Sequence, residues 1–138
     1  MRNSKKFIFL EHTGEIKFKA FGKSFSEALK NSVLAISSFL SNDQKIKPKI
    51  VKKIFVKRDD IKSLLYNFLD ELIYLFDAEL FIPKNAKISL NENSLKSEIY
   101  GDDARKYNGL SHIKSVTYSE MDIKIGKGNC VVQVVLDV

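Results

Sequence analysis

A single cysteine, Cys130, rules out a disulfide within the chain, and its valine-rich surroundings suit a buried, reduced thiol. Long apolar runs are missing too. No stretch approaches the roughly 20 residues that span a bilayer, and the apolar FIFL behind the first lysines is too short for a signal-peptide core. A cytoplasmic protein with no membrane partner is expected. Motifs of covalent or nucleotide chemistry are also absent: there is no GxSxG, P-loop, CxxC, HExxH or glycine-rich dinucleotide fingerprint. The two histidines, His12 and His112, lie far apart, and neither has a second ligand at zinc spacing, so each reads first as structural.

Arginine is scarce as well. Only Arg2, Arg58 and Arg105 are found among 23 basic residues, although the chain carries a net charge of +6. The lysines gather early. Residues 1–58 hold 14 Lys and Arg against 4 acids, whereas residues 59–138 hold 9 against 13. Arg is the better residue for planar phosphate recognition, so a solvated lysine surface is the first reading and direct RNA contact the second.

What is present is a helix of unusual apolarity. From Asp59 to Glu79, Ile61, Leu64, Leu65, Phe68, Leu69, Leu72, Ile73, Leu75 and Phe76 recur at helical spacing over a wide arc. Only a narrow stripe, Ser63, Asn67, Asp70 with Glu71, and Asp77, is polar. Asp59 and Asp60 open the segment, where carboxylates cap free amides and oppose the dipole. Such a helix must be covered on most sides, so it is expected at the centre of the core, packed on a sheet.

The remaining elements follow in order. Residues 5–11 read as a strand, and residues 15–21 alternate with Ile16, Phe18 and Ala20 on one face, which together predict a hairpin around His12, Thr13 and Gly14. Ser24 and Glu27 form a capping box for a first helix that ends near residues 41–43. From Lys45 to Arg58, KIKPKIVKKIFVKR predicts a lysine-protected edge strand containing Pro48. Beyond the long helix, residues 79–82 and 86–90 read as two strands interrupted at Pro83. Residues 95–100 form another strand, and residues 101–110 a polar loop. Residues 113–125 switch apolar parity near Ser119 and Glu120, which predicts a one-residue bulge. A turn at 126–129 leads into the last strand, 130–138. Two main helices and about seven strands, mostly in hairpins, predict an α+β fold with helices packed on antiparallel sheet, as one domain over residues 1–138.

Carboxylates carry what chemistry the residues suggest. Glu15 opens a strand after a glycine turn. Asp137 is penultimate in an apolar strand, where a carboxylate is costly unless paired or metal-bound, and the terminal carboxylate of Val138 follows. Were the two ends of the chain neighbours, these oxygens could hold a hard cation such as Ca²⁺ or Mg²⁺; simple exposure at a frayed terminus is the alternative.

Several segments resemble the archease family, the accessory proteins of RtcB-type RNA-splicing ligases. DDIKSLLYNFLDELIYLFDAELFIP is similar to that family's core helix and exit strand. His12-Thr13-Gly14-Glu15 resembles its His-Thr-Ala-Asp turn, and Gly22-Lys23-Ser24 with Glu27-Ala28 its entry into the first helix. Tyr100-Gly101-Asp102 resembles a Gly-acid turn, and Ile113-Lys114-Ser115-Val116-Thr117-Tyr118 its Val-Lys-Ala-Val-Thr-Tyr strand. Val134-Val135-Leu136-Asp137-Val138 resembles its terminus. The resemblance implies a metal site of Glu15, Asp137 and Val138, with Lys114, His12 and His112 near the partner or nucleotide. Two residues depart from the pattern: Glu15 replaces Asp, and His112 stands where the family usually has Glu, a loss of charge that should weaken cation binding.

The implied function is that of an accessory factor, not a self-sufficient enzyme. It would promote guanylylation and repeated turnover of an RtcB-type ligase in tRNA splicing, meeting tRNA only indirectly. A stand-alone RNA-binding module using the Lys45 to Arg58 strand is the alternative. A small metal-dependent hydrolase would need a general base that the sequence does not reveal.

Overall fold

The computed structural model describes residues 5–10 and 13–138. His12, and the end of the first predicted strand at Glu11, lie outside the described residues. The architecture is α+β, two helices packed on antiparallel strands, and the strands divide into two sheets. In the first, β1 (Phe7–Leu10), β2 (Glu15–Gly22), β7 (Asn129–Asp137) and β6 (Ser115–Gly126) lie in the order β1-β2-β7-β6. In the second, β3 (Ile50–Lys57), β5 (Ser94–Asp103) and β4 (Phe81–Asn91) lie in the order β3-β5-β4.

Helix α1 spans Phe25–Ser41. The Ser24 hydroxyl accepts from the Glu27 amide at 3.1 Å, and Glu27 Oε1 accepts from the Lys23 amide at 2.6 Å, a capping box reaching one residue further back than expected. Helix α2 spans Ile61–Glu79, capped by Asp60, which accepts from the Ser63 amide at 2.8 Å. Its periodicity is realised in packing: Leu64, Leu65, Phe68, Leu69, Leu72, Ile73 and Leu75 are buried. Ile61, at the first turn, is 37% exposed and does not join them, because the helix has not yet entered the core there. Both helices touch strands of both sheets, α1 against β2 and β4 and α2 against β6, β3 and β4, so one apolar cluster joins the two sheets.

Three boundaries differ from the sequence expectation. Residues 79–90 do not form two strands: Leu80 turns the chain with φ 53°, and β4 then runs unbroken from Phe81 to Asn91, bulging between Pro83 and Asn85. Proline is tolerated because β4 is an edge strand and the bulge absorbs the missing donor. The 101–110 loop is shorter than expected, since β5 continues to Asp103 and a 3₁₀ turn, Ala104–Lys106, follows. The irregularity in β6 is larger than one residue. Thr117 pairs with Val135 and Asp122 with Gln133, so four residues face the single Val134, with Glu120 at φ 52°. The strand expected from Lys45 begins only at Ile50, so residues 45–49, Pro48 among them, precede β3 without joining a sheet; β3 itself is an edge strand, as its lysines suggested.

Candidate metal and partner-binding site

The residues at the end of the first sheet are set by register. Glu15 is the first residue of β2 and Asp137 the last of β7, and they stand directly opposite one another; on the other side of β7, Ser115 also faces Asp137. Directly opposed residues of an antiparallel pair project from the same face with Cβ atoms about 4.5–5.5 Å apart. The two carboxylates, separated by nearly the whole chain, are therefore neighbours. Because β7 has partners on both sides, Asp137 is not at a frayed end. The Lys114 amide donates to the Asp137 carbonyl at 2.7 Å, tying the segment before β6 to the end of β7. Glu15, Asp137 and Val138 are half-buried, and the Val138 side chain packs on the core.

Lys114 is exposed. His112, two residues earlier, directs Nε2 to Asp77 Oδ1 at 3.2 Å, near the end of α2. It is thus engaged with a helix carboxylate. Further along the same face as Glu15, Lys17 pairs with Glu120 of the β6 irregularity at 3.1 Å, and the Thr117 hydroxyl donates to the Val135 carbonyl at 2.9 Å.

An all-oxygen donor set of two carboxylates and a chain terminus has the chemistry of a hard-cation site. Among the described residues, no three His, Cys, Asp or Glu side chains gather as a metal centre. Glu15 and Asp137 thus bring two side-chain carboxylates together, one short of such a centre. Glu15 and Asp137 fit a hard cation on donor chemistry and on register.

One buried acid was not anticipated as such. Asp102, 2% exposed, accepts from the Tyr107 hydroxyl at 2.7 Å and from the Asp103 amide at 2.8 Å, with Lys106 Nζ at 3.6 Å. Tyr107 oxygen in turn accepts from the Lys47 amide at 3.0 Å. The Tyr107 hydrogen bond holds the Asp102 carboxyl below the usual carboxylate range, against the opposing effect of burial. Asp103 accepts from the Arg105 amide and guanidinium at 2.9–3.0 Å, which brings its carboxyl down to about 2. This cluster fastens the 103–107 turn to the segment before β3. The sequence signals were the two adjacent acids and the likeness of Tyr100-Gly101-Asp102 to a Gly-acid turn, and neither shows that Asp102 is buried.

Fold and sequence together define a small α+β protein of one family. The chain belongs to the Archease protein family (MTH1598/TM1083), whose sequence profile matches residues 7–138. Protein archease of Pyrobaculum calidifontis is 32% identical over 136 residues, covering 93% of this chain and 92% of that protein. Protein archease of Pyrococcus abyssi is 30% identical over 141 residues, covering 97% and 99%. The solution structure of Methanobacterium thermoautotrophicum protein 1598 superposes with a TM-score of 0.77 at 25% identity, covering 96% of this chain and 99% of that one. The crystal structure of an archease from Thermotoga maritima, described as a possible chaperone, shares the fold with a TM-score of 0.64 at 18% identity, covering 100% and 98%.

Proposed function

We propose that this protein is an accessory factor of an RtcB-type RNA ligase, acting in the cytoplasm to promote ligase guanylylation and repeated turnover during tRNA splicing. The observation that carries the reading is the register of Glu15 with Asp137 beside the chain terminus, in a chain that belongs to the archease family. Glu15, Asp137 and the Val138 carboxylate would hold a divalent cation, Ca²⁺ or Mg²⁺, which supplies positive charge for phosphate oxygens when bound. The chain's own residues do the rest. Lys114, whose amide is anchored on the Asp137 carbonyl, has an exposed side chain, suited to a nucleotide phosphate or an acidic group of the ligase. His112, two residues before Lys114, is braced by Asp77 and would meet the same partner; a contact role for His12, which lies outside the described residues, is implied by the family resemblance alone. The role is to position and neutralise, with no nucleophile contributed, and the joining of tRNA is left to the ligase.

The test pairs binding with activity. Calorimetric titration of Ca²⁺ and Mg²⁺ should show a site that Asp137→Ala removes and that Glu15→Asp tightens, since the shorter acid suits the family's geometry. Multiple-turnover ligation by the ligase of the same organism should fall to the unassisted rate with Asp137→Ala and with Lys114→Ala. Wild-type stimulation by both variants would overturn the reading.

A further inference from the structure

The second sheet has one face turned away from the apolar core. Along β3, Ile54 and Val56 are buried, whereas Lys53, Phe55 and Lys57 alternate with them and are exposed. On β5, Leu95, Ser97 and Ile99 face the core and Lys96 is exposed; on β4, Lys87 is exposed next to buried Ala86. Register turns these into rows across the sheet: Lys53, Glu98 and Lys87 form one, and Phe55, Lys96 and Ser89 the next. The first turns of α1 wall one side at Lys30, leaving a groove of ≈ 950 Å³.

Two features set this face apart from a protected edge. Lysines that guard an edge belong on edge strands, yet Lys96 lies on the central strand β5. Phe55, on β3, is 60% exposed, and edge protection has no use for an aromatic ring. Lys30, Lys53, Lys87 and Lys96 make no ion pair with a described residue, whereas Lys52, on the opposite side of β3, is bound to Glu79 at 2.9 Å. Glu98 is the one acid in the two rows, and it already accepts from the Tyr100 hydroxyl at 2.7 Å.

We propose that this outer face of β3-β5-β4 binds single-stranded RNA directly, with a base stacked on Phe55 and phosphates held by Lys53, Lys87 and Lys96. The chemistry matches. Residues two apart on a strand are about 6.8 Å apart, so Lys53 and Lys57 bracket the Phe55 ring at roughly the spacing of successive nucleotides. Stacking with flanking cations is how proteins hold single strands without reading their sequence. The surface is separate from the Glu15 and Asp137 end of the first sheet, so it would present RNA without obstructing the proposed ligase contact. The basic strand is therefore only one part of the surface. Lys45, Lys47 and Lys49 precede it, and the essential additions come from β4 and β5.

The test is fluorescence anisotropy of a labelled 12-nucleotide oligouridylate from 50 to 200 mM KCl, without ligase. Wild type should bind with salt-sensitive affinity, and a duplex RNA of equal length should bind at least tenfold more weakly. Phe55→Ala should weaken binding about tenfold while leaving the salt slope unchanged, because stacking releases no counterions. Replacing Lys53, Lys87 and Lys96 together by Gln should flatten the log–log slope by about two, at roughly 0.7 per phosphate. The Lys45, Lys47 and Lys49 triple Gln variant should bind within twofold of wild type. No saturable binding at 50 mM KCl, equal binding by Phe55→Ala, equal affinity for duplex, or equal loss in the two triple variants would each overturn the proposal. None of these outcomes bears on cation binding or ligase stimulation, which are measured separately.

Discussion

Replacing Gly101 by alanine should be among the most damaging single-methyl changes in this protein. Gly101 lies on the central strand β5, paired with Ile50 on one side and Pro83 on the other, where β4 bulges. A methyl group there would overlap the Ile82 carbonyl oxygen and sit 2.7 Å from Phe81 Cζ. The obstacle is backbone and cannot rotate away. Relief requires β4 to move outward, loosening the Phe81–Asp103 and Ile82–Asp102 pairs and exposing two buried side chains. Overpacking of this kind costs about 1–3 kcal/mol, and a backbone obstacle places the cost at the upper end. Stiffening of the unfolded chain by alanine returns about 0.4–1 kcal/mol, leaving a net loss of about 2 kcal/mol. With a urea m-value of about 1–3 kcal/mol/M, the midpoint should drop by about 1 M. The control is Gly128→Ala, in a hairpin turn at φ +68° with open space around it, where only the left-handed backbone costs, about 1–2 kcal/mol. Urea melts followed by circular dichroism measure both. A Gly101→Ala midpoint within 0.2 M of wild type (about 0.4 kcal/mol at a typical m-value) would mean that β4 does not approach β5 as described, and the bulge at Pro83 would be misplaced.

In α2, Leu72→Ala removes a fully buried side chain and should cost about 2–5 kcal/mol. Asn67→Ala loses only half-buried bonds to Ser63 and Arg58 and should cost about 1 kcal/mol; equal losses in urea would mean the wrong face is buried. Asp102 and Asp103 have lowered carboxyls in the folded state, so their stabilisation is complete above the ordinary carboxylate range and is lost as pH falls through the folded values, near 2 for Asp103. Carboxyl ¹³C titration should therefore find Asp102 below the usual range, and Tyr107→Phe should move it upward by removing the hydrogen bond that contributes most; an unmoved titration would refute that cause.

The parts of the fold legible in the sequence are those whose cause is local. The period of α2 places Leu64, Leu65, Phe68 and Leu72 on one side whatever the rest of the chain does, and the caps at Ser24 and Asp60 act within four residues. The parity change in residues 113–125 required an irregularity in β6, because side chains alternate strictly along a strand. Its length was not legible, since one extra residue and three reverse parity alike. The division into two sheets was decided only in three dimensions, by helices that each pack on both. Proline at 83 reads as a break until β4 is known to be an edge. The burial of Asp102 depends on Tyr107 and Lys47, which come from two separate segments. Most of all, the juxtaposition of Glu15 with Asp137 is a matter of register between β2 and β7, whose first and last residues are separated by nearly the whole chain. The sequence could nominate both acids, Asp137 because a carboxylate in an apolar strand is costly and Glu15 because it opens a strand after a glycine turn. Whether they meet depends on which strands pair and at what offset, and that is determined by the core beneath them.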